Sequence, residues 1–287
     1  MEFKHIKGFS RLTIFMTGAV LVLSGCASYH MRQGNRLYDQ MAYSEAVKEY
    51  VLALDSPHRS QAQRRLASSY LRMNNSVKAL EYYGSVVKDT KSKASPAERQ
   101  RYASLLMGMG RYDEAKTILN QTDSLDNSGK VMLASCDSIG SWSQDSLRYL
   151  IEHSRINTGA ESNFSPVYYK DGIMFVSDRG KLTSWNKYEW TGRPFLDVYY
   201  AKSDTAVPVK VGGELNGVYH EGPVAINAQA DTLYITRSNY TKKKIGKSDQ
   251  DVVSFKLYQM YRKDTSWTGL QELPFNSDNC NTGHPAL

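Results

Sequence analysis

Small residues recur in this chain at intervals that a stack of helix pairs satisfies. Gly34, Ala67 and Ala103 are 33 and 36 residues apart, and twelve positions after each stands Ala46, Ala79 or Ala115. Three positions after the first set come Leu37, Tyr70 and Leu106, and four after the second come Tyr50, Tyr83 and Leu119. Small side chains on two successive helices let the axes approach, and bulky ones a turn away fill the space beside that contact. The pattern predicts helix pairs near 31–41 and 44–55, 60–73 and 76–89, and 97–108 and 112–121. Pro96 suits a helix start and Gly110 a helix end. A pair of this kind cannot bury its apolar face alone, so the copies must stack. Val131, Leu133 and Ala134, then Leu147, Leu150 and Ile151, are expected to add a capping helix or two. Cys136 on that pattern reads as a buried thiol.

These positions resemble tetratricopeptide repeats. The groove of such an array is lined mainly by the first helix of each pair. Asn35, Arg64, Ser68 and Gln100, away from the small-residue seam, are the candidate partner-binding residues, with a plain solvated face as the alternative.

After the polar stretch 152–161 the helical period gives way to short β-rich runs between turn signals. A longer repeat appears there. Phe164-Ser165-Pro166-Val167 is answered by Glu221-Gly222-Pro223-Val224 and again by Gly283-His284-Pro285-Ala286. Between the prolines, the run from Gly172 through Ser177, Asp178 and Arg179 matches Asp231 to Arg237, and Asp197–Tyr200 matches Lys256–Gln259. Val209–Val211 matches the run from Trp267 to Leu273. Four short strands per unit, each unit opened by a proline at a strand's first residue, is the arithmetic of a propeller blade. The motifs resemble the WD40-like (TolB-type) propeller repeat. Two units are complete and a third begins, so the chain is expected to be part of a longer one whose remaining blades close the ring; the alternative is that two blades pack on the helical array as a finished domain.

The N-terminal 25 residues read as an address rather than as fold. Lys4, Lys7 and Arg11 precede the apolar stretch Leu12–Leu23. Twelve helical residues rise only about 18 Å against a hydrocarbon layer of about 30 Å, which fits a signal peptide and not a membrane span. Leu23-Ser24-Gly25-Cys26 resembles a bacterial lipobox, with Cys26 as the lipid-modified N-terminus; the alternative is a plain secretory signal with a chance cysteine. Two or three acyl chains anchor stably where one does not. The residues that follow, Ala27-Ser28-Tyr29-His30, lack an acidic surface-export run and a retention aspartate, so a periplasm-facing outer-membrane lipoprotein is expected. The chain carries +7, and removing the leader's three basic and one acidic residue leaves +5. Spread that thinly, the charge does not argue for a nucleic-acid partner. Three cysteines make no disulfide framework.

Catalytic signatures fail on inspection. His220-Glu221 is followed by Gly222-Pro223, which breaks the helix a zincin motif requires. Ser141 lacks the flanking glycines of a nucleophile elbow. Asp278, Cys280 and His284 fall in a turn before a repeat strand and read as structural. Lys242-Lys243-Lys244 reads as a solvated loop. No catalytic residue, metal site or cofactor is assigned.

The expected layout is α+β and multidomain. It comprises a leader over 1–25, an α-solenoid of three repeats over 26–128, capping helices and linker over 129–160, and an incomplete all-β propeller over 161–287. The order of lipobox, helical array and WD40-like repeats resembles Bacteroidetes lipoproteins that continue into an OmpA-like domain, including the accessory lipoprotein branch of type IX (Por) secretion. That resemblance implies a non-catalytic envelope scaffold with envelope proteins as partners, and peptidoglycan only through an OmpA-like domain that these residues do not contain. The alternatives are the N-terminal part of a propeller-containing peptidase and a SusD-like glycan-uptake lipoprotein.

Overall fold

A computed structural model describes residues 26–159, 161–241 and 244–287. The leader with Leu23, Ser24 and Gly25, and Lys242 and Lys243 of the lysine run, lie outside the described residues. The chain divides at Leu150/Ile151, inside the predicted linker; Glu189–Gly192 count with the first unit. Among the described residues no helix is long and apolar enough to cross a membrane.

The first unit is helical: α1 (26–39), α2 (Tyr43–Leu52), α3 (Arg59–Arg72), α4 (Ser76–Lys88), α5 (Pro96–Gly108), α6 (Tyr112–Asn120) and α7 (Asn127–Trp142). Consecutive helices pack on one another from α2 to α7. α1 is already helical at residue 26, the first described residue, and Ala27 and Met31, both buried, carry the apolar stripe upstream of the predicted start. Ser95 and Glu98 form a reciprocal capping box around Pro96 at the start of α5.

The repeat extends to backbone geometry. Two residues past the end of α1, α3 and α5 stands a left-handed residue, Met41, Asn74 and Gly110 (φ 61°, 57° and 73°). The N–H groups of Ala42, Asn75 and Arg111 then bond back to the carbonyls of Leu37, Tyr70 and Leu106, each at 2.9 Å. Only the third copy shows its turn as glycine. The repeat-defining side chains Ala46, Ala67, Ala79, Ala103, Ala115, Tyr50 and Tyr83 are all buried. A Cβ on Gly34 would lie 2.6 Å from the Tyr50 ring, so the glycine is what lets α1 approach α2. After α7 a short 3-10 turn runs Ser143–Arg148 and the helical period is lost. Leu150 and Ile151 are therefore exposed rather than part of a cap.

The second unit holds two four-stranded antiparallel sheets with the same path. The first is β1 (Asn163–Tyr169), β2 (Gly172–Ser177), β5 (Asp197–Ala201) and β6 (Val209–Lys210), with the hairpin β3 (Lys187–Tyr188) and β4 (Arg193–Pro194) inserted between its second and third strands. The second is β7 (Glu221–Ile226), β8 (Thr232–Ser238), β11 (Phe255–Lys263) and β12 (Ser266–Glu272), with the hairpin β9 (Tyr240–Thr241) and β10 (Lys244–Ile245) inserted at the same place. Met174 and Val198 of the first sheet meet Leu233, Ile235, Met260 and Trp267 of the second in one core. The opposite face of the first sheet, with Phe175 and Tyr199, is covered by Ile156.

Two expectations from the repeat need correction. Phe175 pairs with Tyr199 and Ile235 with Tyr258, so Ile235, not Tyr234, takes the place of Phe175. The sequence match was one residue out of register in the second strand, which would have put each side chain on the wrong face. Pro166 and Pro223 also do not open their strands. They sit inside β1 and β7 at irregularities in the ladder, where a missing N–H is tolerated. The residues before the three prolines, Ser165, Gly222 and His284, share a left-handed backbone (φ 51°, 93° and 57°). At Gly222 glycine is further required because a Cβ would lie 2.3 Å from Val176.

The third copy forms no strand, yet it repeats the clamp that joins the first sheet to β7. Asn216 accepts from Val198 N–H at 2.7 Å and donates to its carbonyl at 3.0 Å; Asn276 does the same to Leu257 at 3.0 and 2.7 Å. Glu221 N–H bonds to Leu196 O, and Thr282 N–H to Phe255 O, both at 2.9 Å.

Candidate partner-binding layer and buried polar sites

The four residues expected to line a helical groove turn out to hold the helices together. Tyr38 of α1 and Ser68 of α3 share a hydrogen bond of 2.6 Å. Arg64 of α3 bonds through Nε to Glu98 of α5 at 2.8 Å, and to Ser60 and the Ser92 carbonyl. Gln100 of α5 is buried, and a Cβ on Gly129 of α7 would lie 2.7 Å from its Oε1. Asn35 accepts from the Tyr50 hydroxyl at 2.9 Å. Three of the four therefore link α1 to α3, α3 to α5 and α5 to α7, so the first helices lie side by side as one layer.

Cys26, the first described residue, is exposed in α1. Its Sγ lies 3.4 Å from His30 Nε2, and His30 Nδ1 lies 2.7 Å from Glu49 of α2. Sequence reading missed both partners because His30 is one helical turn away and Glu49 belongs to another helix. Cys136 is buried, and burial raises its thiol pKa.

In the sheet unit, Ser177, Asp178 and Arg179 close the end of β2. Asp178 accepts from Ser162 N–H at 2.8 Å and is gripped by both Nε and Nη2 of Arg193. Arg179 bonds to Ser177 and Asn163 and covers the Phe175 and Tyr199 rings. In the second sheet a different arginine does this work: Arg237 bonds to Glu221 at 3.1 Å and lies over Tyr258.

Glu221 is 2% exposed, its Oε2 has no hydrogen-bond partner among the described residues, and burial outweighs Arg237 to lift its pKa to about 7. The adjacent His220 goes the other way. Packed edge-on against Tyr188 and Phe195, with Nδ1 accepting from Leu196 N–H, it is lowered by burial to about 4. A groove of about 620 Å3, lined in part by Asn216, Gly217, Arg237 and Tyr240, opens beside this pair. Asp278 is taken up by Lys256 and Asn239, and His284 N–H bonds to Thr236, consistent with parts of a turn.

Helix pairs closed by one recurrent turn, with their first helices in a single layer, form a stacked helical array, followed here by antiparallel sheets. No protein-family model matches the chain, and no curated protein matches it. Among solved structures it is similar to yeast Tom70, at 21% identity and a TM-score of 0.38, over 42% of this chain and 26% of that one. It is also similar to the first TPR of Spaghetti (RPAP3) bound to the HSP90 peptide SRMEEVD, at 19% identity and a TM-score of 0.36, over 41% of this chain and 95% of that one. The chain thus spans about a quarter of the Tom70 chain.

Proposed function

We propose that this protein is a non-catalytic scaffold of the bacterial envelope. It is anchored to the periplasmic side of the outer membrane by acyl chains on Cys26, and its helical array binds protein partners through the first-helix layer. The two like sheets are read as adjacent blades of a WD40-like propeller. The lineage suggested by the sequence makes type IX secretion or outer membrane–peptidoglycan linkage the process served. The observation that carries the reading is the layer itself: α1, α3, α5 and α7 held side by side by side-chain contacts of differing chemistry. A broad preorganised surface of that kind serves binding, where a few buried anchors carry the affinity.

The test has two arms. In cells the wild-type chain should take up labelled fatty acid and sediment with membranes, and Cys26→Ala should do neither. A photo-crosslinker at Ser104, exposed on α5, should capture envelope proteins in place of lipid or saccharide. Membrane association unchanged in Cys26→Ala removes the anchor.

One observation favours a second reading. Cys26, His30 and Glu49 stand in the order thiol, imidazole, carboxylate, which activates a cysteine nucleophile. The two readings exclude each other at one atom, because a sulfur held in a thioether to diacylglycerol has no proton to pass to His30. The mass of the N-terminal peptide from purified membranes separates them.

A further inference from the structure

The two sheets place a guanidinium over the equivalent tyrosine of the third strand and then treat it differently. Over Tyr199, Arg179 is held by four groups. Its Nε donates to Ser177 Oγ at 3.1 Å, its Nη2 donates to Asn163 Oδ1 at 2.9 Å and to the Ile156 carbonyl at 3.3 Å, and Glu161 stands 3.7 Å away. Over Tyr258, Arg237 has one firm partner, Glu221 at 3.1 Å; the Glu214 carbonyl lies at 3.5 Å, the outer limit of a hydrogen bond. Among the described residues Arg237 Nε donates to nothing, and no carboxylate but Glu221 lies within salt-bridge distance of this arginine. Where the first sheet supplies acceptor oxygens, the second has the groove of about 620 Å3. Arg237 is 6% exposed yet lines that groove. Gly217 lines it too, and a Cβ there would lie 2.6 Å from Arg237 Nη2, so glycine keeps the approach clear. The one counter-charge is weak, because burial lifts Glu221 to about 7, and Asp197, the other carboxylate acting on Glu221, is paired with Lys210 at 2.7 Å. A buried cation with spare donors at the wall of a groove is short of acceptors.

We propose that this groove binds a monocarboxylate with an aromatic or aliphatic body, its carboxylate taken by Arg237. A planar guanidinium matches the two oxygens of a carboxylate. Val218, Tyr240 and Leu270 line the same groove and supply apolar and aromatic surface for the body. The volume falls within the range of about 300–1,000 Å3 that small-molecule sites occupy. One arginine balances one charge. Glu221 is bonded to it and Glu214, whose Oε2 accepts from Gly269 N–H at 3.1 Å, also lines the groove, so a doubly charged phosphate is disfavoured against a carboxylate. The site owes nothing to the first-helix layer, and its failure leaves the scaffold reading untouched.

Titration calorimetry on the full chain tests it with two acids and their amides: phenylacetate against phenylacetamide, and alanyl-alanyl-phenylalanine against its C-terminal amide. At least one acid should bind about tenfold or more tightly than its amide, as loss of a hydrogen bond to a charged group predicts. The acid that does so tells a free small molecule from a chain end. Arg237→Gln/Glu221→Gln removes the buried pair together, leaving no charge unpaired, and should weaken the acid about tenfold. Glu221→Gln keeps the guanidinium, removes its competitor and should bind the acid about threefold more tightly than wild type. Circular dichroism of each variant separates lost binding from lost fold, and the comparison of acid with amide needs no variant at all. Equal binding of acid and amide, undiminished binding by the folded double variant, weaker binding by folded Glu221→Gln, or inorganic phosphate binding more tightly than either acid overturns the site. So does the absence of binding by both acids at millimolar concentration.

Discussion

The helical unit and the sheet unit are both repeats, but they repeat different things. Along the helices the copies agree in packing and in the turn that ends each first helix, and neighbouring copies are tied by side-chain links of changing chemistry. Between the sheets the path of the strands and the Asn216 and Asn276 clamps recur, while the polar chemistry is exchanged. Arg179, Ser177 and Asn163 in one sheet are replaced by Arg237 and Glu221 in the other. Backbone-serving residues thus define each unit's architecture, and a guanidinium over the third-strand tyrosine can arrive from two different sequence positions. In the second sheet the charges form a buried pair in which, among the described residues, one carboxylate oxygen has no hydrogen-bond partner.

The largest effects should come from the core, and they should differ in reach. Tyr50→Ala and Trp267→Ala each empty a fully buried site and should cost about 3–5 kcal/mol. In the array the loss should stay near α1–α3, because stacked repeats lean on their neighbours alone. Hydrogen exchange should then show α5–α7 still protected in Tyr50→Ala, while Trp267→Ala lowers protection in both sheets, which share its core. Protection lost evenly across α1–α7 would break the contrast.

The pH response sharpens the contrast next, since the sheet unit alone carries the opposed buried pair His220 and Glu221. His220, lowered to about 4, contributes stability that is present above its unfolded value of 6.5 and lost as pH falls toward 4. Glu221, raised to about 7, acts oppositely: its burden is absent below 4.5 and grows until pH 7. Between those values the two slopes offset each other, so wild-type stability should be nearly flat there. Glu221→Gln should uncover the histidine, with sheet-unit stability rising by up to about 3 kcal/mol as pH goes from 4 to 6.5. Chemical denaturation followed by tryptophan fluorescence measures it, and a flat curve in that variant would show that His220 titrates normally.

The smallest effect tests the recurrent turn. Met41 is left-handed and exposed, and the equivalent position of the third repeat is Gly110. Met41→Gly should gain about 0.5–1 kcal/mol, since a side chain in that conformation costs about 1–2 kcal/mol and glycine's extra chain freedom takes back part of the relief. A loss of stability would mean that the Met41 side chain contributes more than its exposure suggests.

From α2 to α6 the helices were legible to within a few residues because their signal, small beside large at fixed offsets, is what helix packing itself demands, whereas the extent of α1 and the cap after α7 were not. Four strands per unit were legible for the same reason, as period-two runs between turns. The second-strand register was not, because Ser177-Asp178-Arg179 and Thr236-Arg237 look alike when slid by one and only cross-strand pairing shows the face. The roles of Arg64, Ser68 and Gln100 were not legible either: whether a polar side chain meets solvent or the next repeat depends on how closely the first helices approach.

By itself the chain's order of residues determined its repeating units, their helical and extended character, and which side chains must be buried, because these follow from local periodicity and from size at fixed spacing. The tertiary structure decided which polar groups meet: Cys26 with His30 and Glu49, Arg64 with Glu98, Glu221 with Arg237. A charge or hydrogen bond is satisfied across space by whatever the fold brings within 3 or 4 Å, and that distance has no fixed counterpart along the chain.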